Sequence, residues 1–217
     1  MYIGELFFKC VGVSAEMTLV SKLHNELVYD RRLNVLASHL CEMLPNEASV
    51  LDIGCGDGKL DKVVQEKRPD ISIRGIDVLK RPKSHIRIDK FDGEYIPCDN
   101  NSFDVVMFID VIHHASNQML LLEEAERVTR KSVLIKDHTN NGCLAKSTLM
   151  FMDWVGNRHH GVALPYNYWT YEEWLRNLDK VSLDVIKWRS KLKLYPLPAR
   201  WVFDRGLHFI AMLSKRK

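Results

Sequence analysis

Residues 50–58, VLDIGCGDG, set three glycines at alternate positions behind a short apolar run, with acids on either side. The run itself, SVLDI at 49–53, reads as a buried strand. Glycines directly after a strand let the backbone turn sharply and approach a ligand closely. The surrounding sequence repeats the pattern. Asp30–Leu44 carries Leu33, Leu36, Ala37, Leu40 and Leu44 at helical spacing and stops at Pro45. Lys59–Lys67 is helical through Leu60, Val63 and Val64, and Ile71–Val78 is a second strand. Phe103–Val111 and Ser132–Lys136 read as further strands. Between them Asn117–Arg130 is a helix with Leu121, Leu122, Ala125 and Val128 on one face. Glu123–Arg127 and Glu126–Arg130 are expected as (i, i+4) ion pairs on its surface. Strand, glycine turn, helix, strand, repeated, predicts an α/β fold with a doubly wound, mostly parallel sheet. Only eight residues separate Asp77 from Ile86, whereas a parallel crossover needs about a dozen. A turn at Arg81-Pro82 therefore replaces the helix there, and the third strand, about Ile86–Asp89, is short and at the sheet edge.

A chain of 217 residues with 46% hydrophobic content suits one well-cored domain. A net charge of +3 is mild, so charge alone does not call for a polyanionic partner. Cys10, Cys41, Cys55, Cys98 and Cys143 are scattered, odd in number and form no CxxC. That pattern argues against a disulfide framework and a zinc site, so no metal is expected and a reducing, cytoplasmic setting is. The start, MYIGELFFKCVGV, lacks a basic leader and is broken by Lys9, so no signal peptide is expected. No segment approaches the ~18 apolar residues that a bilayer span requires.

In open α/β sheets the ligand lies beyond the carboxyl ends of the strands. A dinucleotide fingerprint would put its third glycine at Lys59, and no GK[ST] follows for a P-loop. Asp52, Asp57 and Asp77 crowd the same place and would repel a pyrophosphate. They suit a ligand with an ammonium group and a free ribose, and Asp77, 25 residues after Asp52, is placed to accept the ribose hydroxyls. S-adenosylmethionine has those groups and no phosphate.

VLDIGCGDG, the acid in GIDV and FDGEYIPCDNNSFDVVMFIDVIHH together resemble the class I (Rossmann-like) S-adenosylmethionine-dependent methyltransferases of the small-molecule branch, over about Val50–Lys136. The resemblance implies a seven-stranded sheet with an antiparallel C-terminal strand pair and S-adenosyl-L-methionine as cofactor. It implies that Asp52, Gly54, Cys55, Gly56, Asp57 and Gly58 line the methionine and ribose end. Asp77, with Val78, would hold the ribose; Asp92, beside Gly93 and Glu94, would accept from the adenine amino group, though Asp-Gly also suits an ordinary Asx turn. Ile109 and Asp110 would border the sulfonium. Two features depart from the family pattern: Arg130-Lys131-Ser132 stands where a Gly-Gly turn is common, and the second crossover is short.

A methyl acceptor needs a base only if it must lose a proton. His113, His114 and His138 all follow predicted strands at the ligand edge. His138 is the candidate base, oriented by Asp137, and His114 a candidate substrate contact. MDWVGNRHHGVALPYNYW, 152–169, precedes a helix opened by the capping box Thr170-x-x-Glu173. It reads as a substrate cap, with Asp153, Asn157, Arg158, His159, His160, Tyr166 and Tyr168 as candidate lining. Val185–Leu194 and Leu207–Leu213 read as the closing antiparallel pair. Lys187, Arg189, Lys191 and Lys193 alternate there, as a solvated face that guards an edge strand. The expected organisation is one methyltransferase domain over 1–217: a leader or lid at 1–29, a cofactor core at 30–138, a substrate cap and helix at 139–184, and the closing strands at 185–217. The expected activity is methyl transfer to a small or medium-sized molecule, without membrane insertion or a nucleic-acid partner. RNA methylation and a non-catalytic cofactor-binding scaffold are the alternatives.

Overall fold

The computed structural model describes residues 15–79, 81–157 and 164–216. Seven strands form one sheet in the order β3-β2-β1-β4-β5-β7-β6. They are β1 (Ser49–Ile53), β2 (Ser72–Asp77), β3 (Ile88–Lys90), β4 (Phe103–Ile109), β5 (Thr129–His138), β6 (Leu183–Arg189) and β7 (His208–Lys215). β1 to β5 run parallel to their neighbours, whereas β7 is antiparallel to both β5 and β6. The expected mixed sheet with its antiparallel closing pair is thus the one observed.

Side chains alternate between two cores because strand residues point to opposite faces. On one face Leu51, Val106 and Ile135 meet α3 (Gln118–Val128) and α5 (Tyr171–Lys180), through Leu121, Leu122, Ala125, Trp174 and Leu178. On the other, Val50, Val105 and Leu134 meet α1 (Ala15–Met43) and α2 (Lys59–Lys67), through Leu36, Ala37, Leu40 and Val64. Burying a side chain of this kind stabilises by roughly 1.5–3 kcal/mol. The central strands are therefore held from both sides, and their carboxyl ends are fixed in position.

β3 is three residues long and lies at the sheet edge, and among the described residues between β2 and β3 there is no helix. β5 begins three residues earlier than the apolar run suggests. The Thr129 hydroxyl donates to the Ser132 carbonyl at 2.7 Å, and Arg130 and Lys131 pair with Asp104 across a register shift against β4. β6 ends at Arg189, where a bulge beside Val185 and pairing of Arg189 with Glu42 and His39 break up the expected basic stripe. The expected helix-surface pairs do not form. Arg127 turns instead to Glu124 and to the carbonyls of Ile96 and Cys98, which need donors, while Arg130 takes Asp104 and Glu126 takes Lys215.

The 152–169 segment is not one loop. Its first residues complete α4 (Ala145–Asn157), 164–169 form no helix or strand and Tyr166 has φ +57°, and Arg158, His159 and His160 lie outside the described residues, as does the 1–14 part of the expected leader. The capping box at Thr170 is present, its hydroxyl accepting from the Glu173 N–H at 3.2 Å. A short final helix, α6 (Arg200–Phe203), leads into β7.

Candidate functional site

The glycine loop hangs from the ends of β1 and β2. The Gly54 N–H donates to the Ile76 carbonyl at 2.7 Å and the Gly56 N–H to Asp77 Oδ2 at 2.8 Å. Asp77 Oδ1 accepts from the Leu79 N–H at 2.7 Å. Gly54 and Gly56 both have positive φ, +74° and +65°, a backbone region that costs other residues ~1–2 kcal/mol. A Cβ on Gly54 would stand 2.6 Å from a methyl of Val111; a Cβ on Gly56 would meet nothing within 4 Å. One glycine is demanded by packing as well as conformation, the other by conformation and open space.

That space belongs to a cavity of about 570 Å³ along the carboxyl edge of the sheet, a size typical of small-molecule sites. Of the residues predicted to hold a cofactor, Gly54, Gly56, Asp77, Val78, Asp92, Gly93, Ile109 and Asp110 line it. Asp52, Cys55, Asp57 and Gly58 are not among its walls. They support the loop from beneath: the Cys55 side chain fills the space beside Gly75, and a Cβ on Gly58 would strike Ile86. Asp92 Oδ1 accepts from the N–H groups of Glu94 and Tyr95, each at 2.8 Å, so the Asx turn is formed and the second oxygen is left for other partners. Those N–H groups hold the Asp92 carboxyl below its usual range.

Under the loop, Asp52 is 2% exposed and Asp61, in the first turn of α2, fully buried. Both oxygens of Asp61 and one of Asp52 lack a partner. Burial, reinforced by Asp61, raises the Asp52 carboxyl well above its usual value, and burial pushes Asp61 up to about 6. A proton held in this pair relieves the repulsion between two desolvated carboxylates.

The other end of the cavity is a polar network. Asp110, at φ +58° after β4, pairs with the buried Lys136 ammonium and, at 2.6 Å, with Arg32 from α1. Burial alone would raise the Asp110 carboxyl; Lys136 and Arg32 outweigh it and hold it well below its usual range. His138 lies on the cavity wall, its Nδ1 3.7 Å from Asp110 and 3.3 Å from Asp137. Burial and Lys136 lower its pKa and favour the neutral ring. Asp137 does not mainly orient His138. Its Oδ1 takes the shorter bond from His113 Nδ1 at 2.6 Å, because the 3₁₀ turn Ile112–His114 carries that ring over the end of β5. His113 Nε2 stands 3.2 Å from Asp153 Oδ2 without hydrogen-bond alignment. Burial disfavours charge on His113, but Asp137 and Asp153 override it and push the pKa up to about 10. Burial, aided by His113, pushes His114 down to about 4.

Of the substrate candidates, His114, Asp153 and Asn157 line the cavity. Tyr168 stands behind, its hydroxyl donating to Asp153 Oδ2, and Tyr166 packs with Tyr168 in a small satellite core. Sequence reasoning missed Arg32 and Tyr195 on the cavity wall, and Lys136 and His208 behind Asp110 and His138. Only Lys136 left a readable sign, as a lone cation inside the apolar strand SVLIK.

Comparison with known proteins then decides the family. A family model described as a methyltransferase domain matches residues 24–187. The chain belongs to the class I S-adenosyl-L-methionine-dependent methyltransferases. Among curated relatives, the tRNA (carboxymethyluridine(34)-5-O)-methyltransferase of Schizosaccharomyces pombe is 35% identical over 94 residues, 42% of this chain and 40% of that one. The sarcosine/dimethylglycine N-methyltransferase of Aphanothece halophytica is 26% identical over 121 residues, 49% of this chain and 43% of that one. The matches thus span less than half the length of these two curated relatives. A methyltransferase solved with the Haloferax volcanii Trm112 activator shares the fold at TM-score 0.64 and 14% identity, over 91% of this chain and 96% of that one.

The cavity fits the cofactor that family membership implies. The space over Gly56 admits a ligand against bare backbone. Asp77, although both oxygens serve the backbone, keeps lone pairs for a diol, since a carboxylate offers about four acceptor sites.

Proposed function

We propose that the chain transfers a methyl group from S-adenosyl-L-methionine to a small or medium-sized acceptor with an ionisable nucleophile. The observation that carries this reading is a cavity lined by the glycine loop and by His114, His138 and Asp153, with Met152, Gly156 and Asn157 of α4 also on its wall. Asp77 and the Gly54–Gly56 backbone would hold the cofactor's ribose and methionine portions, Asp92 its adenine, and Ile109 and Asp110 would flank the sulfur. Bound there, the cofactor supplies a methyl group already activated by positive sulfur, so alignment provides much of the rate. His138, kept neutral beside Lys136, would accept the proton that the acceptor loses. Arg32 and Lys136 fix Asp110, and so the end of β4, against the reacting centre. The reading takes the chain as one methyltransferase domain. It places the work in the cytoplasm, in keeping with Cys41, Cys55, Cys98 and Cys143 all being unpaired. Among the described residues no helix is long and apolar enough to cross a membrane.

A second reading is methylation of RNA, favoured by the 35% identity to a tRNA methyltransferase over the cofactor region. The two separate by experiment. Methyl transfer from labelled cofactor into pooled small molecules, insensitive to salt, supports the first. Transfer into RNA that falls steeply with salt supports the second and overturns the first.

A further inference from the structure

His113, His114 and Asp153 form a cluster that methyl transfer by His138 leaves unused. Each contributes one ligand atom, and all three atoms lie within 4.8 Å of one another. His113 Nε2 and His114 Nδ1 are buried and have no hydrogen-bond partner. Asp153 Oδ2 is 3.2 Å from His113 Nε2 and accepts from the Tyr168 hydroxyl. Buried ring nitrogens without partners are costly and call for an occupant.

We propose that His113 Nε2, His114 Nδ1 and Asp153 Oδ2 bind a divalent transition-metal ion at the acceptor end of the cavity. Two imidazoles and a carboxylate are a donor set that suits zinc or ferrous iron. The surroundings match what such sites need. His113 turns its other nitrogen to Asp137, the carboxylate–imidazole pairing that fixes the tautomer and orientation of a metal-binding ring. The Tyr168 hydroxyl orients Asp153 in the same way. His114 and Asp153 both face the cavity, so the remaining coordination position opens toward the acceptor. The neighbouring group His113, Asp137 and His138 also gathers three donors, but Asp137 Oδ1 is already taken by His113 Nδ1 and the His138 N–H, the latter at 2.7 Å. Asp137 is thus a support for the site and not a ligand. An ion here would polarise an acceptor oxygen or nitrogen and ease its deprotonation. The site stands whether or not the chain transfers methyl groups, because its ligands are separate from the glycine loop.

The test is Zn²⁺ titration of the chelator-stripped full chain against a chromophoric competitor, with Co²⁺ absorption as a second readout. The wild type is expected to bind one equivalent and to give a four- or five-coordinate Co²⁺ spectrum. H114A and D153N, checked for folding by thermal unfolding and for an intact loop by S-adenosylhomocysteine binding, should lose at least a hundredfold in Zn²⁺ affinity. A wild-type chain that takes up no Zn²⁺, or an equivalent retained in both folded H114A and D153N, overturns the proposal.

Discussion

Alanine at Gly54 and at Gly56 should separate two demands that the sequence writes with the same letter. At Gly56 the added methyl meets no protein atom within 4 Å, so stability loses only the left-handed backbone strain, ~1–2 kcal/mol. In a domain of this size each kcal/mol lowers Tm by about 2–4 °C, giving a fall of roughly 2–8 °C. At Gly54 the same strain is joined by the contact with Val111 at 2.6 Å, and overpacking of this kind adds ~1–3 kcal/mol. The total is ~2–5 kcal/mol, or a fall of roughly 4–20 °C. Ligand affinity should rank the other way relative to stability, because the Gly56 methyl enters the cavity. A clash worth ~1.4 kcal/mol or more costs tenfold or more in affinity. Differential scanning fluorimetry and calorimetric titration with S-adenosylhomocysteine, run on both variants, read the two effects. A G56A protein with wild-type affinity, or a G54A protein as stable as G56A, would refute the reasoning.

Three further outcomes follow from the site. D61N should stabilise the protein at pH 8 and flatten its pH dependence. The folded pKa of Asp61, about 6, exceeds its unfolded value, so the wild type has this stability below about pH 4 and loses it as pH rises through 6. The difference of about two pKa units is worth up to roughly 3 kcal/mol, and equal Tm gains at pH 4 and pH 8 would contradict it. D77N should bind S-adenosylhomocysteine at least roughly tenfold more weakly and lower Tm. An amide cannot accept at both Gly56 and Leu79, and each hydrogen bond to a charged acceptor contributes ~1.5–3 kcal/mol; unchanged affinity would remove Asp77 from the ribose role. K136M keeps the buried volume but strips Asp110 of one cation, which should cost ~1.5–3 kcal/mol. Asp110 contributes stability above its unfolded pKa and loses it as pH falls through its depressed folded value. The variant should therefore gain less stability than the wild type as pH rises toward about 4, the unfolded value, and parallel pH–Tm curves below about pH 4 would refute the pairing.

What the sequence made legible was local. β1 and α2 are read correctly because SVLDI is a continuous apolar run and KLDKVVQEK closes at a proline two residues on. The edge position of β3 followed from chain length alone. At the acceptor end His114, His138, Asp153 and Asn157 were legible as candidates, but their supporting pairs were not, because those contacts join residues far apart in the chain. Arg32 reaches Asp110 across 78 residues, and His113 reaches Asp137 across 24. Nothing local distinguishes Arg32 from its exposed neighbour Arg31. The helix-surface pairs failed for a related reason: Arg127 is drawn to the carbonyls of a loop that spacing within α3 cannot see. The 152–169 segment misled because polar and aromatic residues resemble a loop, although Leu149 and Asp153 share a buried helix face.

The central claim is that bare glycine backbone and Asp77 form a site for S-adenosyl-L-methionine. The most direct test is calorimetric titration of the purified full chain with S-adenosylhomocysteine, with NADH as control. Micromolar binding of S-adenosylhomocysteine and none of NADH is the predicted result. Binding of NADH in its place, or of neither, would contradict the account.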